Sequence, residues 1–167
     1  MAEVCGVSLS RYSSRDLQDF RILRLGLIFQ QFELLSYLNV LENVLLPFRL
    51  NPVLELKPSW REVASELLLE VGLGDKTGRF PSALSQGERQ RVAVCRALVT
   101  QPTLLLCDEP TANLDPENRD HIMGMLSKYC ETNEASMLMV THDHDLLPRF
   151  DRIVDIREFT GSKGEKP

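Results

Sequence analysis

The stretch Leu84–Asp115, LSQGERQRVAVCRALVTQPTLLLCDEPTANLD, holds the residues whose types and spacing can do chemistry. Ser85 and Glu88 form a capping box, which predicts Ser85 as the N-cap of a helix with Val92, Cys95 and Val99 on its apolar side. The helix start, kept open by Gly87, presents free backbone N–H groups and the positive end of a dipole. That combination suits an anion such as a phosphate. Downstream, Leu104–Cys107 is a continuous apolar run, as in parallel strands covered on both faces. Asp108 and Glu109 follow at the strand's end, which is the ligand side of an open α/β sheet. Two adjacent carboxylates there suit Mg2+ binding and activation of a water for phosphoryl transfer.

These residues need elements to position them. Glu3–Leu9 reads as a short strand interrupted by Gly6, and Ser13 or Ser14 starts a charged helix around Arg15–Arg21. Leu25–Gln30 is strand-like and runs into a loop over Gln30–Tyr37. Asn39 with Glu42 starts another helix, which continues through Val44–Leu46 to Pro47. Ser59 with Glu62 is read as a second capping box, opening a helix with Ala64, Leu67, Leu68 and Val71 at helical spacing. Gly72 and Gly74 end it. Past Asp115, Ile122, Met125, Leu126, Tyr129 and Cys130 share one helix face, read as core. Met137–Val140 is a second apolar strand ending in Thr141-His142-Asp143, and Ile153–Ile156 is expected to form one more. Strand–helix alternation with apolar strands predicts a mainly parallel α/β sheet.

The chain of 167 residues suffices for one domain with a real core. A net charge of −5 gives no electrostatic reason to expect nucleic acid or an anionic membrane surface as partner. Cys5, Cys95, Cys107 and Cys130 lack metal-type spacing and are read as reduced thiols of a cytosolic protein. His142 and His144, flanked by Asp143 and Asp145, have no Cys or further His near them to complete a metal site. No run approaches the ~18 apolar residues needed to cross a bilayer, and the opening residues do not read as a signal peptide. Direct membrane insertion is therefore not expected.

LSQGERQR, followed by LLLCDEP and then ANLD, resembles the nucleotide-binding domain of ATP-binding cassette (ABC) transporters in motif order and separation. The resemblance covers about Glu3 to Ile156 and implies a P-loop NTPase-like cassette: a mainly parallel sheet plus a helical subdomain. It assigns Leu84–Glu88 to the signature motif, Leu104–Glu109 to Walker B and Ala112–Asp115 to the D-loop. Phe29-Gln30-Gln31-Phe32 matches the Q-loop, and His142 matches the switch histidine. The implied cofactors are ATP and Mg2+. Asp108 is the implied metal ligand through water, with Gln30 contacting the metal or the attacking water. Glu109 is the implied general base, and His142 bonds the γ-phosphate. Ser85, Gln86, Gly87 and Glu88 would face the ATP of a second cassette, with Asp115 across that interface. A transmembrane permease is the other implied partner, placing the chain on the cytoplasmic, inner face of the cell membrane. The run from Leu27 to Pro47 is most similar to the subunits of lipoprotein-releasing and macrolide-export systems.

Two departures bear on these expectations. Gln86 stands where the family's first signature glycine does; it either weakens the phosphate contact or adds an amide donor. No two of the nine glycines stand five apart, so the phosphate loop GxxxxGK[ST] is absent from these residues. The chain therefore reads as a single incomplete, N-terminally truncated ABC ATPase domain over 1–157. It comprises a core remnant (1–29), a Q-loop and helical/signature subdomain (30–99) and a Walker B to H-loop core (100–157), followed by a flexible tail (158–167). The expected function is an ATP-hydrolysing subunit energising a membrane exporter or lipoprotein-release system, with this chain alone inactive. The alternatives are a non-catalytic remnant that binds a permease or partner cassette, and a non-transport ABC ATPase.

Overall fold

The computed structural model describes residues 3–158 apart from 9, 11 and 113. The expected flexible tail lies outside the described residues from 159 onward. The chain opens with a hairpin, β1 (Glu3–Val4) and β2 (Val7–Ser8), antiparallel to each other. This corrects the single strand expected over Glu3–Leu9. Cys5 and Gly6 have φ of 50° and 73°, and two successive left-handed residues make the tight turn that reverses a strand.

Helix α1 (Ser14–Arg24) starts at Ser13, whose side chain and that of Asp16 form a capping box. It feeds β3 (Leu25–Ile28). After a loop, α2 (Val40–Val44) starts at Asn39 with the expected capping box to Glu42. Pro47 does not end this helix. It occupies the first turn of a new short one, α3 (Pro47–Leu50), where its missing N–H costs nothing. Pro58 likewise opens α4 (Pro58–Glu70) with Lys57 at the N-cap. Ser59 therefore lies inside the helix, and the Ser59–Glu62 capping box does not form. Gly72 follows the helix at φ 71°, the left-handed C-terminal position that favours glycine.

Helix α5 (Gln86–Leu98) leads to β4 (Leu104–Asp108), then α6 (Pro116–Asn133) and β5 (Ser136–Val140). The three longer strands are parallel in the order β3-β4-β5, with Ile28 level with Cys107 and Cys107 level with Met139. Residues 153–155 form no strand; Ile153 and Val154 are exposed, and a single 3-10 turn spans Ile156–Glu158.

One hydrophobic cluster joins the strands to the helices, with Ile28, Val44, Leu68, Val92, Cys95, Leu105 and Ile122 nearly inaccessible. It covers one face of the sheet, that of Gly26, Leu105 and Met137. Helix α5 presses so closely on this face that a Cβ on Gly26 would sit 2.8 Å from the Ala97 carbonyl oxygen. The opposite face is less covered: Leu104 and Leu106 are half-buried, and Leu138 and Val140 are 62% and 61% exposed. The expectation of strands covered on both faces is corrected accordingly. All four cysteines are free thiols, as expected. Burial pushes the Cys107 thiol up to about 12.

Candidate functional site

The strand register assembles the site. Asp108 is level with Val140, so the residues that follow leave the sheet side by side at its C-terminal edge. Glu109 takes a left-handed conformation, φ 48°, while its N–H donates to the Val140 carbonyl at 3.0 Å. A non-glycine residue held there costs on the order of 1 kcal/mol, so the backbone is constrained where the carboxylate is aimed. The backbone N–H of His142 donates to Glu109 Oε1 at 3.0 Å, and His142 Nδ1 lies 2.6 Å from the same oxygen. A carboxylate can only accept, which places the ring hydrogen on Nδ1 and leaves Nε2 open to solvent. The His142 side chain is 78% exposed and that of Glu109 16%. Beside them lies a cleft of about 360 Å³ lined by Glu109, Thr111, Arg119, His142 and Asp143 among others.

The second group of candidate residues lies on α5. Ser85 is the N-cap, with its Oγ accepting from the Glu88 N–H at 3.2 Å and Glu88 Oε2 accepting from the Ser85 N–H at 2.7 Å. Lys76 pairs with the other oxygen of Glu88. The Lys76 ammonium and the Ser85 N–H hold the Glu88 carboxyl down at about 2, against an ordinary value of 4.5. A depressed carboxyl stabilises the fold above pH 4.5, and that contribution fades as pH falls from 4.5 toward 2. Lys76→Met is therefore expected to cost about 1 kcal/mol at pH 7. Urea unfolding should show the gap between variant and parent narrowing at pH 3; an equal gap at both pH values contradicts the pairing.

Gly87 sits where a Cβ would approach Leu114 Cδ2 to 3.2 Å, so the signature turn touches the segment after the acidic pair. Buried Gln90 donates from Nε2 to the Pro110 carbonyl at 2.5 Å, and Arg91 bonds Asn118 Oδ1. Asp115 caps α6, accepting from the Asn118 N–H at 3.0 Å and from Asn118 Nδ2 at 2.6 Å.

Gln30 is exposed just beyond β3 and lines a separate cleft of about 630 Å³ with Gln31, Phe32, Gln86 and Arg89. The structure thus brings Glu109 to His142 and Gln30 to Gln86, in two clefts that share no lining residue. Sequence reasoning missed Lys76, Gln90 and Arg119. Gln90 carried a signal, as a polar residue among the apolar positions of α5. Lys76 and Arg119 carried none, since Glu88 and Asp143 stand 12 and 24 positions away.

No described cluster of three or more His, Cys, Asp or Glu could enclose a metal ion. Asp108, an exposed carboxylate at a strand exit, fits Mg2+, which keeps most of its waters and takes one or two protein oxygens.

A parallel sheet with helices on one face and an acidic pair leaving its C-terminal edge is an α/β fold, and its likeness to solved ATP-binding cassettes makes it P-loop NTPase-like. The fold superposes on the ATP-binding cassette MJ0796 bound to ADP and Pi with a TM-score of 0.77 and 32% identity, over 86% of this chain and 62% of that one. A family model described as ABC transporter matches residues 7–112. The chain belongs to the ABC transporter family, as part of its ATP-binding domain. It is 39% identical over 155 residues to the methionine import ATP-binding protein MetN 1 of Staphylococcus epidermidis, covering 93% of this chain and 45% of that protein. It is 37% identical over 148 residues to the lipoprotein-releasing system ATP-binding protein LolD of Rickettsia typhi, covering 89% and 65%. The chain thus spans less than two-thirds of the length of either relative. Among the described residues, no helix is long and apolar enough to cross a membrane.

Proposed function

We propose that the chain is part of an ATP-hydrolysing subunit that energises a membrane transporter. The observation that supports this most is the Glu109–His142 pair beside Asp108, at the exits of two adjacent parallel strands. Bound MgATP supplies the phosphoryl group. Asp108 would hold the metal through water, with Gln30 reaching the metal or the water from the neighbouring strand exit. Glu109 would orient the attacking water and take its proton with the oxygen that His142 leaves free. His142, with Nδ1–H donating to Glu109, would donate a second N–H from Nε2 to a γ-phosphate oxygen as an imidazolium.

Ser85, Gln86, Gly87 and Glu88 would face the nucleotide of a second cassette, with Asp115 at the same interface. A transmembrane permease would hold the pair at the inner face of the cell membrane. The division into 1–29, 30–99 and 100–157 is proposed on the same footing. The export or lipoprotein-release reading rests on the Leu27–Pro47 run. MetN is named for import and LolD for lipoprotein release, so the direction is carried by that run alone.

A second reading is a remnant that binds partners without turnover; the residues given hold no GxxxxGK[ST] segment. The chain by itself is accordingly expected to show no rise in Tm at millimolar MgATP, measured by differential scanning fluorimetry. A clear rise would mean that the phosphate grip comes from residues not assigned to it. The two readings part when the chain is completed upstream with a GxxxxGK[ST] segment. Turnover in that protein supports the motor, and binding without turnover supports the remnant.

A further inference from the structure

We propose that Arg119 is a positioning residue for His142, acting from α6 through Asp143. The inference rests on the site reading above. Arg119 Nη1 donates to Asp143 Oδ2 at 3.0 Å and lies 3.8 Å from Asp145 Oδ2. Its Nε is 3.6 Å from Asp120 Oδ1, which also accepts from Arg149 Nη2 at 2.6 Å.

Asp143 is held on every polar atom of its side chain. Oδ1 accepts from the Asp145 N–H at 3.0 Å and Oδ2 from Arg119, while the Asp143 N–H donates to Thr141 Oγ1 at 3.0 Å. The turn that carries His142 is therefore locked internally and tied to α6 by one guanidinium.

That tie matters because most of the imidazole lies in solvent. The His142 side chain is 78% exposed, and Glu109 is its hydrogen-bond partner. Where the ring sits depends on the backbone to either side. Upstream, the Val140 carbonyl holds the N–H of Glu109; downstream, Arg119 holds Asp143. A direct phosphate contact by Arg119 fits less well, because its side chain is 22% exposed and already committed to Asp143.

The first test uses the whole chain and nitrogen-15 NMR of the imidazole rings at one fixed pH, with His142 assigned by His142→Gln. Arg119→Ala and Asp143→Asn should both move the His142 signals in the direction that Glu109→Gln moves them. Arg119→Lys should restore part of the shift. The Trp60 indole signal, from α4, should stay in place as the check on folding. Asp143→Asn keeps size and shape, so it decides the matter if Arg119→Ala does not fold.

In the chain completed upstream, Arg119→Ala should lower kcat about tenfold while KM for ATP stays within about twofold. Unmoved His142 signals in Asp143→Asn overturn the proposal, as does a raised KM at unchanged kcat. If Glu109→Gln leaves turnover intact while Asp143→Asn still moves His142, the motor reading fails and the positioning contact stands.

Discussion

In a cassette completed upstream with a phosphate loop, Glu109→Gln is expected to lower ATP turnover by about 10²-fold or more, with nucleotide binding retained. Gln has the size of Glu, and an amide oxygen can still accept the two bonds that His142 makes to Oε1. The left-handed backbone at φ 48° is kept as well. What disappears is the negative charge and the ability to take a proton from the attacking water. The loss should thus fall on kcat, because the grip on the nucleotide belongs to other residues. Steady-state phosphate release and filter binding of labelled ATP separate the two quantities. Turnover within twofold of the parent would remove Glu109 from the reaction.

Asn43→Ala is expected to be the largest stability loss in the helical part of the chain. Asn43 is wholly buried. Its Oδ1 accepts from the Leu35 N–H at 2.8 Å, and its amide hydrogens reach the carbonyls of Leu35, Leu38 and Asn39 at 3.1, 2.9 and 3.0 Å. One side chain thus bonds four backbone groups in the second half of the loop between β3 and α2. Truncation leaves the Leu35 N–H and the Leu38 carbonyl enclosed without that partner, while the carbonyls of Leu35 and Asn39 keep the N–H groups of Leu38 and Asn43; the cost is about 3 kcal/mol. For a protein of this size that corresponds to a fall in Tm of roughly 6–12 °C. Thermal unfolding followed by circular dichroism measures it. A fall below about 2 °C would show that water replaces the amide at little cost.

Much of the site was legible because its signals are local. The Ser85–Glu88 box, the apolar run of β4 and the acidic pair after it are each written within a few residues, and each lies where it was expected. The misreadings have local causes too. A proline takes the first turn of a helix readily, so Pro58 displaced Ser59 from the cap and Pro47 began a helix instead of closing one. Cys5-Gly6 lacks the Asn-Gly or Asp-Gly signal that marks a two-residue hairpin turn. The contacts that couple the site were not legible. Glu109 and His142 stand 33 positions apart, and only the register of β4 against β5 makes them neighbours. Arg119 reaches Asp143 across 24 positions, from α6 to the turn after β5. Nor could the apolar pattern of β5 show that Leu138 and Val140 face outward, because a run of apolar residues does not say which face is packed.

Helix α5 touches two loops at once. Arg96 donates to the carbonyls of Phe32 and Glu33 at 2.8 and 2.5 Å, and Arg89 lies over the Phe32 ring at 5.9 Å. Its neighbouring side holds Pro110, Asn118 and Leu114. Thirteen helical residues make a rod about 20 Å long. The loop at Phe32 and the segment after the acidic pair are therefore fastened to one and the same helix.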